Sequence, residues 1–130
     1  IGSPRVSMER LDKMGSDEDI PAQARDSLNL MMKYGRSAKA AAMYKYLLDM
    51  RMAFVNMHDV LPIGGSLVLI IGKEQIFKVG GNETKFDLGK IAESLGTSVG
   101  LTIRKTVDVG LRKASERGAI PTEHIIHFKK

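Results

Sequence analysis

Cysteine and tryptophan are both absent from the 130 residues of this chain. Without cysteine, the chain can form no disulfide, no thiolate metal site and no cysteine nucleophile. Apolar runs of membrane-spanning length are also missing, and no basic start leads into an apolar signal sequence. These absences predict a soluble cytoplasmic protein that has no membrane partner.

Several kinds of active site are excluded by spacing. No two of the 13 glycines are separated by a single residue, so no G-x-G cofactor loop exists, and neither a P-loop nor a G-x-S-x-G elbow is present. His124 and His127 are three residues apart in a predicted strand, so they are expected to point to opposite faces and not to share a metal. His58 falls on the polar side of a predicted helix and reads as a surface residue. We therefore predict no catalytic, cofactor-binding or metal-binding residue within these 130 positions.

The composition is that of one globular domain with a basic surface. Hydrophobic residues make up 43% of the chain and charged residues 27%, which argues against wholesale disorder. Lys and Arg number 20 against 15 Asp and Glu, which gives a net charge of +5. Such a charge favours attraction to polyanions, nucleic acid among them.

The segment 61–72 predicts a helix end, a tight turn and a strand. Pro62 cannot continue a helix, and Gly64 and Gly65 permit the positive φ values of a sharp reversal. The run 66–71 is short, nearly all apolar and rich in branched side chains. Such a run is typical of a strand that is covered on both faces in a parallel sheet. We expect the rest of the chain to be organised around this strand.

Two helices are predicted before the strand, after an irregular or partly helical lead-in over residues 1–19. The first begins at Pro21 and ends at Gly35. The second covers residues 37–60, because apolar side chains recur there at alternate steps of four and three. That stripe consists of Met43, Leu47, Met50, Phe54, Met57 and Leu61. Its methionines are expected to pack in the core.

The second half of the chain alternates short strands with one helix. Gly80-Gly81-Asn82 is a turn signal that makes residues 73–86 either a small hairpin or a loop. Asp87 is a predicted N-cap for a helix that Gly96 ends. Residues 98–109 alternate in polarity, which predicts a long strand with one wet face, and residues 119–128 predict a final strand. The basic connection 110–118 is too short for a helical crossover, so these two strands are expected to pair antiparallel.

This order of elements resembles the C-terminal half of the class I S-adenosylmethionine-dependent methyltransferases. In that family the helix before the fifth strand ends in a turn of the form L-x-P-G-G or L-P-x-G-G, which residues 61–65 match. The resemblance makes 67–71 the fifth strand, 87–95 the next helix, and 99–109 and 120–128 an antiparallel sixth and seventh strand. It implies an α/β fold class, with a lead-in over 1–36 and the C-terminal lobe of a Rossmann-like methyltransferase fold over 37–130.

The segment 112–130 is similar to the end of DNA amino-methyltransferases, which often close with a basic loop, an E-[HY]-hydrophobic strand and a terminal Lys or Arg. Glu123-His124 and Lys129-Lys130 match that pattern, and residues 1–6 look like the region shortly after the catalytic motif of some members. The catalytic motif itself, Asp, Asn or Ser before Pro-Pro and an aromatic residue, is missing because all four prolines are isolated. The first four strands and the cofactor loop are missing too, so no catalytic residue is carried over. Ile1 in place of an initiator methionine favours a piece of a longer polypeptide.

The resemblance implies one part of an enzyme that methylates adenine N6 or cytosine N4 in DNA, either as a fragment or as one chain of a split enzyme. S-adenosylmethionine would bind only with the missing N-terminal half or a companion chain present. DNA is the expected partner. The candidate phosphate-contacting residues are Arg5, Lys105, Arg112, Lys113 and Arg117. The alternative interpretation of these cations is a solvated basic loop.

Two other functions stay open at this point. The first is a non-catalytic α/β module that pairs with a partner or with itself as a homo-oligomer, because half a sheet leaves strand 67–71 with an unpaired apolar edge. The second is an RNA or small-molecule target. A companion polypeptide with a glycine-rich loop and a Pro-Pro-aromatic motif would favour the enzyme, whereas a stable, cofactor-blind homo-oligomer would favour the module.

Overall fold

A computed structural model describes residues 8–110 and 122–130 as a mixed α/β structure. The predicted α/β class is confirmed at this level. The helices are α1 (Met8–Asp12), α2 (Ala22–Lys33), α3 (Ser37–Val60) and α4 (Leu88–Ser98). The strands are β1 (Ser66–Gly72), β2 (Gln75–Val79), β3 (Asn82–Phe86), β4 (Thr102–Gly110) and β5 (Thr122–Lys129).

Both helices predicted before the first strand are confirmed. Pro21 is the N-cap residue of α2, and Gly35 follows its end with a φ of 74°, which is a conformation that glycine adopts without strain. The bounds of α3 agree with the predicted 37–60. Within its apolar stripe Met43, Leu47 and Phe54 are buried, but Met57 is exposed, so the expectation of core packing is wrong for that methionine.

The turn between α3 and β1 forms as its sequence predicts. Gly64 has a φ of 84°. Gly65 does not take a positive φ; a Cβ atom there would lie 2.9 Å from the carbonyl oxygen of Pro62. The amide of Gly65 donates to that same carbonyl at 2.8 Å. Glycine is therefore needed at one position for its backbone angle and at the next for close approach.

The main sheet has three strands in the order β1–β5–β4, and β5 runs antiparallel to both neighbours. The predicted antiparallel pairing of the last two strands is confirmed. The expected parallel setting of β1 is wrong within the described residues, because the only described neighbour of β1 is the reversed strand β5. Strands β1 and β4 consequently run parallel to each other without touching.

Helices α3 and α4 cover one face of this sheet. Phe128 of β5 meets Phe54 of α3 edge to face, with ring centroids 5.2 Å apart, and its ring also packs against Gly96 of α4. The cross-strand neighbours Leu69 and Ile126 lie on the same face. We call this the covered face. Residues of α2 join the same core, since Leu28 and Met31 are buried in it.

The other face of the sheet carries apolar side chains that no described element covers, and we call it the open face. Val68 and Ile70 of β1 are 58% and 59% exposed, whereas Ile71 on the covered face is 8% exposed. Val107 and Val109 of β4 are also exposed on the open face. The prediction that β1 is covered on both faces is thus wrong for the described residues.

A β-bulge in β4 explains why its valines lie on the open face. The register to β5 shifts between Ile103 and Lys105, so that Arg104 is an extra residue. Ile103 pairs with Phe128 on the covered face, while Val107 pairs with Ile125 on the open face. The single alternating pattern predicted over 98–109 therefore changes face midway. Its first residues belong elsewhere, because α4 continues to Ser98.

The remaining elements fill the connection between β1 and β4. Strands β2 and β3 form a hairpin, which decides between the two predicted alternatives of hairpin and loop, and Gly80-Gly81 is its turn. Asp87 caps α4 as predicted, its Oδ1 accepting from the amide of Lys90 at 3.1 Å. Gly96 does not end that helix. It lies inside α4, where a Cβ atom would be 2.4 Å from Cε1 of Phe128.

Among the described helices, none is both long and apolar enough to cross a membrane.

Candidate nucleic-acid interface

Four of the five predicted phosphate-contacting residues lie outside the described residues. They are Arg5, Arg112, Lys113 and Arg117. The structure does locate the two ends of the segment that carries three of them. That segment leaves the sheet after Gly110 of β4 and returns at Thr122 of β5, and these two residues are cross-strand partners. The residues on either side of the basic segment therefore lie at the end of the sheet where β1 finishes, and we call this end the carboxyl edge.

Lys105 lies away from that edge. It is exposed on the open face of β4, opposite His127 of β5, and it precedes Val109 by four residue steps, about 13 Å at ~3.3 Å per residue. Within the described part of the chain it forms no salt bridge. Arg104 beside it is exposed as well. Its position in a bulge was not predicted, because nothing in the alternating sequence marks a bulge.

A polar network ties the ends of the three strands together at the carboxyl edge. Lys73, just after β1, donates from Nζ to Oδ2 of Asp108 on β4 at 2.7 Å. The other carboxylate oxygen of Asp108 lies 2.5 Å from Nδ1 of His124 on β5. Nε2 of His124 lies 3.1 Å from Oε2 of Glu93 on α4. The buried imidazole of His124 thus lies between two carboxylates, one at each ring nitrogen.

The charges of this network reinforce one another. The hydrogen bond from Lys73, and secondarily the one from His124, holds the pKa of Asp108 below its usual value of 3.8. The same bond to Asp108 raises the pKa of Lys73 above 10.5. Asp108 therefore stays ionised, and the Lys73 cation is committed to it. Asp108 and His124 of this network lie two residues from Gly110 and Thr122, and none of the network's members was predicted as a site residue.

Lys130 is hydrogen-bonded to the end of α3 and to the turn that follows it. Nζ of Lys130 donates to the carbonyl oxygens of His58 at 2.6 Å and Leu61 at 2.9 Å, which are among the carbonyls that the end of α3 leaves without intrahelical donors. The backbone of Lys130 also bonds with Gly64 and Gly65. Lys130 therefore closes the turn before β1.

A second charged cluster attaches the N-terminal segment to α3. The Tyr44 hydroxyl donates to Oδ2 of Asp17 and accepts from Nε of Arg10 at 3.1 Å. Arg10 also bridges to Asp19 at 2.7 Å. Burial, followed by the hydrogen bond to Asp17, raises the pKa of Tyr44 to about 12. The hydrogen bond from Arg10 lowers the pKa of Asp19, so this carboxylate stays ionised beside the guanidinium.

The described part of the chain gathers no set of metal ligands. Residues 8–110 and 122–130 contain no group of three His, Asp or Glu side chains that could hold a metal ion. His124 and His127 do point to opposite faces, as predicted, since His124 pairs with Ile71 on the covered face and His127 with Val68 on the open face. The described residues therefore offer the charged network at the carboxyl edge and, apart from it, the exposed cations Arg104 and Lys105 of β4.

No protein-family model, curated protein or solved structure matches this chain.

Proposed function

We propose that this chain is the C-terminal lobe of a DNA amino-methyltransferase, which acts together with a segment that carries the cofactor loop and the catalytic motif. The complete enzyme would move a methyl group from S-adenosylmethionine to adenine N6 or cytosine N4 of a base flipped out of the duplex. The lobe itself would complete the sheet and contribute to the DNA surface. The proposal begins from the resemblance of residues 61–65 and 112–130 to that family.

The strand arrangement is the observation that carries the proposal. The terminal pair β4–β5 folds back so that β5 covers one edge of β1. The other edge of β1 has no partner strand among the described residues. In the proposed enzyme the parallel strands of a front half would add at that edge, since an unpaired, apolar strand edge is a site of association. The order of the strands is thus compatible with a sheet that continues beyond β1.

The open face supports the same proposal. An antiparallel sheet with one wet face normally alternates apolar and polar residues, yet Val68, Ile70, Ile125 and Val107 form an apolar band across all three strands. An apolar band of this kind is typical of a surface that another element covers. A front half that extends the sheet would supply such a second layer.

The phosphate-contacting residues test the DNA part of the proposal. The double charge reversal Arg112→Glu with Lys113→Glu is expected to weaken binding of duplex DNA and to flatten its dependence on salt, because each lost phosphate contact removes about one unit from the slope of log K against log salt. Fluorescence anisotropy at several salt concentrations measures both quantities. Binding with an unchanged affinity and slope would remove these two residues from the interface.

The open face and the free edge equally favour the second candidate, a module that pairs with itself. Light scattering after size-exclusion chromatography distinguishes the two. A stable homo-oligomer that neither binds S-adenosylmethionine nor gains activity from any companion chain supports the module. A chain that instead forms a stoichiometric complex with a polypeptide carrying a glycine-rich loop supports the enzyme.

A further inference from the structure

A second basic site, not predicted from the sequence, lies where the α2–α3 connection meets the β2–β3 hairpin. Gly80 has a φ of 53°, and a Cβ atom on it would lie 2.5 Å from Cδ1 of Tyr34. The tyrosine ring therefore packs directly on the hairpin turn. A cleft of about 460 Å³ opens beside this contact. It is lined by Arg36, Lys78, Val79, Gly80, Gly81, Asn82 and Glu83.

The groups around this cleft are mostly hydrogen-bond donors without acceptors. Nε of Arg36 is a buried nitrogen that has no hydrogen-bond partner among residues 8–110 and 122–130. The amides of Gly80 and Gly81 have no acceptor among the described residues. Lys78 makes no salt bridge with any described carboxylate. A buried unsatisfied donor is rare in a native structure and calls for an explanation such as a bound ion. Turn amides with positive φ form concave anion-binding sites.

Helix α3 adds to the positive potential at this place. It begins at Ser37, directly after Arg36, and no side chain of the described part of the chain caps its N-terminus. The amides of a helix's first turn carry a partial positive charge. One group opposes an anion here: Glu83 lines the same cleft, and its carboxylate makes no salt bridge with described residues.

We infer that this cleft binds a phosphate group, held by the Arg36 guanidinium, the Lys78 ammonium and the turn amides of Gly80 and Gly81. Guanidinium and ammonium groups together with backbone amides are the donors that phosphate oxygens prefer. The phosphate could belong to a duplex DNA backbone or to a small phosphate compound. The recognised chemistry is the same in both cases.

The position of the cleft favours the DNA backbone. Tyr46 and Met50 of α3 lie beside residues 69–71 of β1. Arg36 precedes Tyr46 by ten residues, about 15 Å along the helix axis at ~1.5 Å per residue, and α3 runs opposite to β1. The cleft therefore lies beyond the carboxyl edge, on the side from which the basic segment 111–121 leaves the sheet. This choice of source rests on the proposed function, whereas the cleft itself does not.

Titration with inorganic phosphate tests the cleft in the full chain. Amide chemical shifts of Gly80 and Gly81 are followed by NMR at constant ionic strength, with sodium chloride as the reference salt. We expect a saturable shift of both amides, at least a tenfold weaker Kd in Arg36→Gln and in Lys78→Gln, and a tighter Kd in Glu83→Gln. Lys129→Gln makes the same chemical change at the opposite end of the sheet and should leave the Kd unaltered.

Two results would overturn the cleft. One is the absence of a saturable shift in the unsubstituted chain, and the other is an equal Kd in Lys78→Gln and Lys129→Gln. Lys78 is exposed on the hairpin, so its substitution keeps the test decisive even if Arg36→Gln disturbs the fold.

A second titration with a 12-base-pair duplex identifies the source of the phosphate. The DNA backbone is supported if the duplex shifts the same two glycine amides, competes with inorganic phosphate, and binds more weakly to Lys78→Gln with a smaller salt slope. A duplex that leaves the phosphate-shifted amides in place rejects DNA as the source. If the Arg112 and Lys113 reversal abolishes DNA binding while Lys78→Gln changes neither titration, the cleft inference fails and the proposed function survives.

Discussion

The two faces of the main sheet are built from similar side chains but end in different surroundings. Along β1, Leu67, Leu69 and Ile71 point to the helices, while Val68 and Ile70 point away from every described element. A strand with one solvent-exposed face normally carries polar residues at positions such as those of Val68 and Ile70. Strand β1 therefore has the sequence of a strand buried on both faces, although the described residues cover only one of them.

Helix α3 differs from the sheet, because it has buried side chains on two of its faces. Phe54 of α3 packs against Phe128 of the sheet, whereas Tyr44 of the same helix faces Asp17 and Arg10 of the N-terminal segment. At these positions α3 is packed on two faces, whereas the sheet is packed on one. The open face is where the second layer of the proposed function would pack.

The largest expected effect separates two neighbouring isoleucines of β1. Ile71→Ala should cost about 2–5 kcal/mol in the free energy of unfolding, because it leaves a cavity on the covered face. Ile70→Ala should change that free energy by no more than about 0.5 kcal/mol, because its side chain is 59% exposed. Urea denaturation of both variants measures the difference. Equal destabilisation would show that the open face is covered in solution.

Glycine substitutions probe the packing of the same two surroundings. Gly96→Ala would place a methyl group against the ring of Phe128, so we expect a destabilisation of about 1–3 kcal/mol from overpacking despite the better helix propensity of alanine. Gly72→Ala is the matched control, since a Cβ atom there meets nothing within 4 Å and its φ is not positive. Thermal unfolding should show a lower Tm only for Gly96→Ala. A Tm that rises in this variant would contradict the close packing of α4 on β5.

The packing of α3 on two faces predicts an unusual tyrosine titration. Burial and the bond to Asp17 raise the pKa of Tyr44 to about 12, so the stability that its neutral hydroxyl contributes is fully present below pH 10 and is lost as the pH rises through 12. Absorbance at 295 nm should show one of the three tyrosines titrating last, and Tyr44→Phe should abolish that phase. Complete ionisation of all three tyrosines by pH 11 would contradict the buried contact.

The smallest effect concerns the polar end of the covered face. The pKa of Asp108 is lowered by Lys73 and His124, so its contribution to stability is present above its unfolded value of about 3.8 and is lost as the pH falls through the lower folded value. Asp108→Asn should therefore have a lower urea midpoint than the unsubstituted chain at pH 6. The two midpoints should converge as the medium is acidified below pH 4. A constant gap at all pH values would show that the charge of Asp108 is not what matters.

Much of the fold could be predicted from local sequence signals. The bounds of α3 follow from a stripe of apolar residues that ends at a proline, and the hairpin turn follows from Gly80-Gly81, whose φ values of 53° and 84° favour glycine. The N-cap at Asp87 is equally local, because its carboxylate meets an amide only three residues away. Signals of this kind depend on neighbours in the chain, which the sequence displays directly.

Features that depend on register could not be predicted. The bulge at Arg104 moves Val107 to the open face and brings Asp108 beside His124, and no residue type near it announces the shift. Gly96 has the sequence appearance of a helix stop, but a ring from a strand 32 residues later requires it inside α4. The cleft at Arg36 and Lys78 joins segments more than 40 residues apart. Such contacts are set by tertiary packing, which overrides the local pattern.

We propose that the sheet of this chain is completed at β1 by a segment that holds the cofactor and the catalytic motif. The most direct measurement is the intact mass of the native gene product, purified with whatever remains bound to it and assayed for transfer of labelled methyl groups to unmethylated DNA. The account predicts either a chain heavier than 14.3 kDa or a stoichiometric second chain, with methyl transfer in both cases. A 14.3 kDa chain that is isolated alone or as a homo-oligomer, without methyl transfer, would contradict it.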